Sequence, residues 1–405
     1  MSDVSQANGH LIHPMREELL AAVETIVPIL QANADRAERD RQLPDETIAA
    51  LERASIFRLL IPRRLGGLEV DLVTFVDVVA ALSRGCGSSA WYGFIINGGN
   101  WLVSMLPDEA QRDVWGGDPQ LRSRICAILE PSATTRPADG GIILNGSWAY
   151  ASGCHHSKWA MLGFPVLDES GRIIDESGAL VPMSDLTIKD TWHVAGMRGT
   201  GSDTLVASDV FVPAYRTMRM SAVMHDDPPS QHFDETIYRL SVPATLILLV
   251  IPPVLGMAQA ALELTLERLG RGRKISYTFY SDSRRAPTTQ LQIAQASMLI
   301  ESAFLHTRFW AGEIDSAARR GEALDFMRRC RVRMNLAHAI RCCREAMGLL
   351  LNLQGAGSFA QSNVMQRLWR DFEVSSRHGL LNAEISQEVY GKALLGIEEQ
   401  MTPIL

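Results

Sequence analysis

Two residues far apart in the chain, Ser152 and His378, carry side chains suited to hydrogen-bond and proton chemistry. Ser152 ends the run LNGSWAYAS, where a hydroxyl can both donate and accept a hydrogen bond. His378 ends the run WRDFEVSSRH. The ordinary pKa of an imidazole, near neutrality, suits proton exchange with an O–H group better than removal of a C–H proton. Each residue also has a plain structural interpretation, as a serine in a turn after a strand and as a histidine in a polar helix.

Aromatic and amide side chains in the N-terminal part form a second set of candidates. Trp91, Tyr92 and Trp101 lie in one apolar stretch, where they either line a pocket for an aromatic substrate or pack in the core. Asn100 lies in the same stretch. Its amide can form hydrogen bonds but cannot act as an acid or base at neutral pH.

An adjacent histidine pair, His155 and His156, follows Ser152. In an extended segment neighbouring side chains point to opposite sides, so we expect only one of the pair to share a pocket with Ser152. The sequence contains no HxH, HxxxH or HExxH spacing. We therefore expect no metal site.

The spacing of apolar residues changes twice along the chain and predicts three domains. Residues 1–121 show helical spacing, residues 122–235 contain short alternating runs rich in Val, Ile, Trp and Thr, and residues 236–405 return to long helical periodicity. The stretch 217–235, which contains HDDPPSQH, is predicted to be a linker or flap. The predicted fold is mainly α with a central β-domain.

The composition is that of an ordinary globular protein and argues against several other classes of protein. Of 405 residues, 46% are hydrophobic, and the net charge of −7 argues against a general nucleic-acid binder. The six cysteines form no CxxC pair or disulfide-like framework, and the N-terminal segment lacks a signal-peptide pattern. No continuous apolar stretch reaches the roughly 18 residues of a membrane-spanning helix. We expect a cytoplasmic protein with no nucleic-acid or membrane partner.

Four sequence blocks occur in order: ILEP, LNGSWAYASG, GMRGTGSDTLVASDVFVP and RLWRDFEVSSRH. Their order and spacing resemble the acyl-CoA dehydrogenase superfamily, and within it the two-component flavin-dependent monooxygenases. That branch includes the oxygenase components of p-hydroxyphenylacetate hydroxylase, dibenzothiophene monooxygenases and naphthocyclinone hydroxylases. The resemblance covers nearly the whole chain. It implies an N-terminal helical domain, a middle β-barrel and a C-terminal four-helix bundle, assembled as a homotetramer.

The resemblance also implies an activity, that of the oxygenase component of a monooxygenase. Reduced FMN or FAD would come from a separate NAD(P)H:flavin reductase, since the chain has no GxGxxG motif opening a βα unit. Reaction with O2 would give a C4a-(hydro)peroxide, from which one oxygen atom passes to an aromatic or polycyclic phenol. His378 would act as base on the phenol or hold the peroxide in its reactive protonation state. Ser152 would contact the flavin edge near its reactive nitrogen.

Further contacts are implied around the cofactor and the substrate. Those expected around the flavin, besides Ser152, are Trp148, Tyr150, Thr200, Ser202, Arg273 and Gly357. Arg273 suits a flavin phosphate, and Gly357 lies in a turn expected to approach the cofactor from a neighbouring subunit. Trp148 and Tyr150 either stack on the flavin or fill one face of a sheet. Those expected around the substrate are Trp91, Tyr92, Asn100 and His155. Several aromatic hydroxylases of this branch carry a His where this chain has Asn100.

Three alternative functions stay open. The same scaffold supports N- or S-oxygenation in some of its branches. An acyl-CoA dehydrogenase or oxidase is disfavoured, because Arg370 and Asp371 are followed by FEVSSRHGLLN and not by the IYEGT-like segment that carries the catalytic Glu of many dehydrogenases. The third alternative is a flavin-binding or structural paralogue without activity.

Overall fold

Helices come first along the chain, strands follow, and helices return. A computed structural model of the protein describes residues 13–118, 122–225, 229–397, 399 and 401–405. The predicted fold class, mainly α with a central β-region, is confirmed. The predicted flap falls partly outside the described residues, because 226–228 are not among them.

Five α-helices form the part of the N-terminal region that the structure describes. They are α1 (Arg16–Asp40), α2 (Asp45–Arg53), α3 (Leu72–Leu82), α4 (Gly87–Ser104) and α5 (Asp108–Trp115). Asp45 and Glu46 occupy the first turn of α2, where negative charge favours the N-terminal end of the helix dipole. Almost every residue of α4 is buried, so this helix runs through the protein interior. A side chain at Gly99 would collide with the backbone of Ile125, and glycine therefore lets α4 lie directly against the first strand.

Eight strands form the central region within the described residues 122–225. They are β1 (Ile125–Ile128), β2 (Ala133–Ala138), β3 (Gly141–Trp148), β4 (Trp159–Leu167), β5 (Ile173–Pro182), β6 (Thr187–Lys189), β7 (Thr204–Pro213) and β8 (Thr217–Arg219). One sheet has the order β1-β4-β5-β8 and the other β2-β3-β7-β6, with only β1 and β4 parallel among the described pairs. Buried apolar residues of both sheets form one core. The predicted middle β-barrel thus takes the form of two four-stranded sheets around that core.

Seven α-helices follow the strands among the residues with described positions. They are α6 (Met220–Met224), α7 (Val242–Leu249), α8 (Ile251–Gly270), α9 (Pro287–Arg320), α10 (Phe326–Gln354), α11 (Val364–Ser375) and α12 (Ala383–Leu394). α8, α9, α10 and α12 pack together as a bundle, with α10 in contact with the other three. The segment Val242–Gly270 is long and apolar enough to cross a membrane, but 94% of its most apolar window is buried inside the fold.

The position of α4 explains how distant segments meet. This helix packs against β1, against α8 and α11, and against the short turn Arg198–Thr200 that precedes β7. Most of the buried apolar residues of the N-terminal region and of the bundle belong to one continuous core. Side chains on α4 are therefore close to both the β-region and the C-terminal helices.

Two details of local structure differ from the sequence-based expectation. β3 ends at Trp148, so Tyr150 is not on the strand; it has φ +62°, in the left-handed region. His378 is not within a helix either. It follows the end of α11 and caps the short turn Gly379–Leu381.

Candidate active site

Trp91 of α4 lies between Ser152 and His378 and brings the two predicted residues into one site. Its indole Nε1 donates a hydrogen bond to Ser152 Oγ at 3.2 Å. Its ring centroid lies 5.7 Å from that of the His378 imidazole. Trp91 also packs edge-to-face on Phe94 at 5.0 Å, which fixes the plane of the indole. The N-terminal helices, the β-region and the C-terminal helices thus each supply one residue.

A chain of buried hydroxyl groups runs from Ser152 into the β-region. Ser152 Oγ lies 2.6 Å from Ser202 Oγ, and Ser202 Oγ lies 2.6 Å from Thr200 Oγ1. Thr200 Oγ1 donates to the backbone carbonyl of Met197 at 2.8 Å. All three hydroxyl residues are buried. Three residues expected around the flavin are therefore connected to one another.

The backbone around Ser152 is held against the 200–203 segment by two hydrogen bonds. Gly153 N donates to Thr200 O at 2.9 Å, and Ala151 N donates to Asp203 O at 3.0 Å. Gly153 has φ +79°, and a Cβ there would lie 2.5 Å from the Tyr92 ring. Both the backbone angle and the close ring therefore require glycine next to Ser152.

The Arg–Asp pair of α11 binds the loop that carries Met197. A carboxylate oxygen of Asp371 accepts a hydrogen bond from Met197 N, and Arg370 donates to the carbonyl of Ala195. Arg370 also pairs with Glu38 at 2.6 Å. Burial raises the pKa of Asp371 to about 6, although the Met197 N–H and nearby arginines oppose the increase.

The backbone of Met197 is in a conformation that few non-glycine residues adopt. Its φ is +57° and its ψ is +25°, and its carbonyl accepts from Trp192 Nε1 at 3.0 Å as well as from Thr200. Asp371 holds the other side of the same residue, its N–H. The sequence does not indicate this anchoring. It contains Arg370 and Asp371 side by side, but Met197, to which Asp371 binds, lies 174 residues away in the chain.

His378 is half-buried and carries no charge at neutral pH. Desolvation by burial lowers the pKa of its imidazole to about 4. Its Nδ1 accepts the backbone N–H of Leu380 at 3.3 Å, which leaves the ring proton on Nε2. In this arrangement Nε2–H is a hydrogen-bond donor. The near-neutral pKa expected from the sequence did not include the effect of burial.

The two adjacent histidines have protein partners. They lie in the short helical turn Cys154–His156, so the extended backbone expected for them is wrong. His155 Nε2 lies 2.7 Å from Asp203 Oδ2, and His156 Nε2 donates to Leu43 O at 2.8 Å. Burial opposes ionisation of Asp203, but hydrogen bonds from His155 and two backbone N–H groups lower its pKa overall. His155 is exposed and supports the 200–203 segment through Asp203.

The remaining substrate candidates lie in the interior along α4. Asn100 is fully buried; its Nδ2 donates to Phe57 O at 2.8 Å, while its Oδ1 has no hydrogen-bond partner among the described residues. Tyr92 is buried and packs edge-to-face on Phe57 with ring centroids 5.4 Å apart. On α4, Asn100 Oδ1, Ser89 Oγ and the Tyr92 hydroxyl are thus buried polar atoms without a hydrogen-bond partner among the described residues.

The two aromatic residues expected to touch the flavin occupy opposite environments. Trp148 is fully buried in the core of the β-region and donates from Nε1 to Gly163 O at 2.7 Å. Tyr150 is 73% exposed and packs edge-to-face near Trp192, with centroids 6.0 Å apart. Of the two, only Tyr150 presents a ring at the surface.

Arg273 and Gly357 lie near a third residue, Arg268. Burial, together with the charge of Arg273, lowers the pKa of Arg268. Arg268 donates to Gln354 at 3.1 Å, and its guanidinium approaches Gly357. Within the described part of the chain neither Arg268 nor Arg273 forms an ion pair with a carboxylate. Two neighbouring cations without an acidic partner suit the oxygens of a phosphate.

Among the described residues, one group of His, Asp and Glu side chains has atoms close enough together to be considered as metal ligands. The ligand atoms of His232, Asp234 and Glu235 lie within 4.8 Å of one another. His232 is already paired with Asp108 at 2.8 Å, and Arg64 lies 3.6 Å from Glu235. Protein partners therefore already balance much of the charge of this group.

The groups around Ser152 and His378 fit the polar edge of a flavin. They are hydroxyls, an indole N–H and a neutral imidazole, which suit a heteroaromatic ring with N–H and carbonyl groups better than a metal ion. Arg268 and Arg273 suit the phosphate at the other end of such a molecule. The chemistry of these two groups of residues thus suits the ring and the phosphate of a flavin nucleotide, respectively.

Comparison with known proteins is consistent with this match. The family model described as acyl-CoA dehydrogenase, N-terminal domain, matches residues 15–117, and that of the C-terminal domain matches residues 248–383. Together they cover more than half of the chain. The chain belongs to the acyl-CoA dehydrogenase family. This confirms the resemblance seen in the sequence.

Similar members of the family are oxygenase components. The oxygenase subunit HsaA of a flavin-dependent monooxygenase from Rhodococcus jostii is 31% identical over 93% of this chain and 97% of its own length. The oxygenase component of an FADH(2)-dependent resorcinol hydroxylase from Rhizobium sp. is 29% identical over 98% of this chain and 99% of its own. The flavin-dependent monooxygenase function is thus supported over the dehydrogenase alternative.

A solved structure agrees along nearly the whole chain. XiaF from Streptomyces sp., in complex with FADH2 and glycerol, has a TM-score of 0.89 and 31% identity, and covers 96% of this chain and 97% of its own. This acyl-CoA dehydrogenase family member therefore shares its fold with a protein solved in complex with FADH2.

Proposed function

We propose that this oxygenase component hydroxylates an aromatic phenol with O2 and reduced flavin, the flavin being delivered by a separate reductase. The observation that carries the proposal is the Ser152, Trp91 and His378 cluster, in which three parts of the fold supply neutral hydrogen-bonding groups to one place. Relatives named for resorcinol and p-hydroxyphenylacetate support a phenolic substrate.

Each residue of the cluster has a distinct role in this proposal. Reduced flavin, when bound, would supply the two electrons that activate O2, while O2 would supply the transferred oxygen atom and its second oxygen atom would leave as water. Ser152 binds the flavin edge, and Trp91 orients the Ser152 hydroxyl through its indole N–H. His378 holds a proton on Nε2 and donates it as a hydrogen bond to the reacting oxygen. The buried rings of Trp91 and Phe94 exclude water, which would otherwise divert activated oxygen to hydrogen peroxide.

The substrate ring belongs beside α4 in this proposal. Trp91 and Tyr92 offer aromatic surface, and Asn100 Oδ1, which has no partner among the described residues, is the acceptor that this proposal assigns to a phenol hydroxyl. Asn100 would then orient the substrate without removing its proton.

We further propose that the chain assembles as a homotetramer through its C-terminal bundle. Leu291, Met298 and Leu305 of α9 recur every seven residues, so they share one face of the helix, and they are 71%, 57% and 42% exposed.

All six cysteines are buried free thiols, which supports the reducing cytoplasm as the compartment.

An isotope experiment tests the proposed function. The protein, a flavin reductase, NAD(P)H and a panel of phenols are incubated under labelled O2, and products are analysed by mass spectrometry. One labelled oxygen atom per product is expected. Label in water or hydrogen peroxide alone, or desaturation of an acyl-CoA by the protein with oxidised FAD, would contradict the proposal.

His378→Ala is the matched variant for that experiment. It should still bind reduced flavin, because Ser152 and its partners are unchanged, but it should release hydrogen peroxide instead of hydroxylated product. Product formation at the wild-type rate in this variant would remove His378 from the proposed mechanism.

A further inference from the structure

The chain of buried hydroxyl groups formed by Thr200, Ser202 and Ser152 ends on each side at a group with a fixed role. One of these groups can only accept a hydrogen bond, and the other can only donate one. At one end is the Met197 carbonyl, which can only accept, and at the other is the Trp91 indole N–H, which can only donate. Between them lie Thr200, Ser202 and Ser152, each with a single hydroxyl proton. The two ends therefore fix the direction of every bond in the chain.

The direction follows one residue at a time. The Thr200 hydroxyl donates its proton to Met197 O, so its oxygen must accept a hydrogen bond from the Ser202 hydroxyl across 2.6 Å. Because the Ser202 proton is donated in this bond, the Ser202 oxygen must accept from the Ser152 hydroxyl, also across 2.6 Å. Ser152 then has no proton left to donate outward. It accepts from Trp91 and keeps one lone pair.

This lone pair matters because the two redox states of a flavin differ at the nitrogen that Ser152 is proposed to meet. That nitrogen, N5, carries a hydrogen in reduced flavin and donates a hydrogen bond. In oxidised flavin it has a lone pair and needs a donor. A serine that can only accept is complementary to the reduced state and repels the oxidised one.

We propose that Thr200 and Ser202 are positioning residues that make this enzyme select reduced over oxidised flavin, by turning the Ser152 hydroxyl inward. The inference rests on the proposed function, because it takes a flavin edge as the group facing Ser152. Asp371 accepts a hydrogen bond from Met197 N and so holds in place the Met197 carbonyl, where the chain of hydroxyl groups ends.

Thr200→Val tests the proposal, because valine keeps the shape of threonine and removes its hydroxyl. Ser202 can then donate to Ser152, which frees the Ser152 proton for the oxidised nitrogen. The dissociation constants of FMN and FAD are measured in both redox states under anaerobic conditions. We expect oxidised flavin to bind roughly 2- to 10-fold more tightly and reduced flavin more weakly than in the wild type.

Thr191→Val is the matched control. Thr191 Oγ1 bonds to Thr204 Oγ1 at 2.8 Å and is outside the chain that ends at Ser152, while its backbone N–H to Asp203 is kept. This variant should bind both redox states as the wild type does. Ser202→Ala is the second test variant, in case Thr200→Val does not fold, and it should shift affinity in the same direction as Thr200→Val.

The outcomes separate this inference from the proposed function. Weaker binding of both redox states in Thr200→Val and Ser202→Ala would overturn the inference, because loss of structure alone predicts that. Equal changes in Thr191→Val would also overturn it. A wild-type protein that binds neither redox state of either flavin would overturn the proposed function, and the inference with it.

Discussion

His378 is best understood as a neutral hydrogen-bond donor. Its Nδ1 is occupied by the Leu380 N–H, and burial keeps its pKa near 4. A base with so low a pKa removes few protons from a phenol at neutral pH. The type of residue suggested proton transfer, but its burial could not be read from the sequence.

Replacing His378 with Gln separates the roles of donor and base. The Gln amide N–H can take the place of Nε2–H, whereas Gln cannot accept a proton. We expect His378→Gln to keep coupled hydroxylation within about tenfold of wild type, and His378→Ala to lose on the order of 100-fold. Product and hydrogen peroxide are measured together. If Gln is as inactive as Ala, His378 acts as a base.

The low pKa of His378 also predicts the pH profile. Because burial lowers this pKa to about 4, the imidazole stays neutral from pH 8 to about pH 5 and gains charge only below that. The kcat for hydroxylation is measured with saturating reduced flavin as the pH is lowered. It should therefore show no decrease near pH 6.5 that results from protonation of His378. A midpoint near 6.5 that disappears in His378→Gln would contradict this.

Gly153 provides a test of packing beside the site. Gly153→Ala places a Cβ 2.5 Å from the Tyr92 ring and also strains a backbone at φ +79°. The control is Gly171→Ala, at φ +81° with no atom within 4 Å of the added Cβ. We expect a loss of about 1–2 kcal/mol in the control and about 1–3 kcal/mol more in Gly153→Ala, by denaturant unfolding. Equal losses would show that Tyr92 moves aside freely.

Among the elements, α11 has the least obvious role. Its Asp371 binds the Met197 backbone and so joins the C-terminal helices to the loop before β7. The four sequence blocks predicted which segments meet, since their order follows that of the family. They could not predict this hydrogen bond or the Trp91 bond to Ser152, because contacts between distant segments depend on how the elements pack.

The raised pKa of Asp371 makes this contact sensitive to pH. The folded carboxyl titrates near pH 6 and an unfolded one near pH 3.8, so the folded state binds more protons between these values. Stability from this group is fully present below about pH 3.8 and is lost as the pH rises through 6.

Asp371→Asn should remove that pH dependence. Asn keeps an oxygen for Met197 N but cannot ionise. The free energy of unfolding of the variant should therefore rise relative to wild type between pH 4 and pH 7, by up to roughly 3 kcal/mol. Chemical unfolding at each pH measures it. A constant difference would mean that the carboxyl is already ionised at pH 4.

At the scale of the whole molecule, the exposed face of α9 predicts assembly. Met298→Glu places a charge in the centre of the apolar face of Leu291, Met298 and Leu305. We expect the variant to dissociate into smaller species while each chain stays folded, because a buried unpaired charge costs several kcal/mol. Light scattering with size exclusion measures the mass.

Ile173→Glu is the control for that variant. Ile173 is 65% exposed and is the first residue of β5, so it belongs to the β-region and not to a bundle helix. It should keep the wild-type mass. A wild-type protein that is already a monomer would contradict the proposed tetramer.

The hydroxyl chain also has a consequence for proton conduction. Protons move along a row of hydroxyls only if a proton can enter at one end and leave at the other. Here the inner end is the Met197 carbonyl, a very weak base whose lone pairs are already engaged by Thr200 and Trp192. Protons therefore cannot pass through this chain of hydroxyl groups. Under the proposed function, no proton enters or leaves the site along these hydroxyls, so any proton that the reaction needs has to arrive by another route.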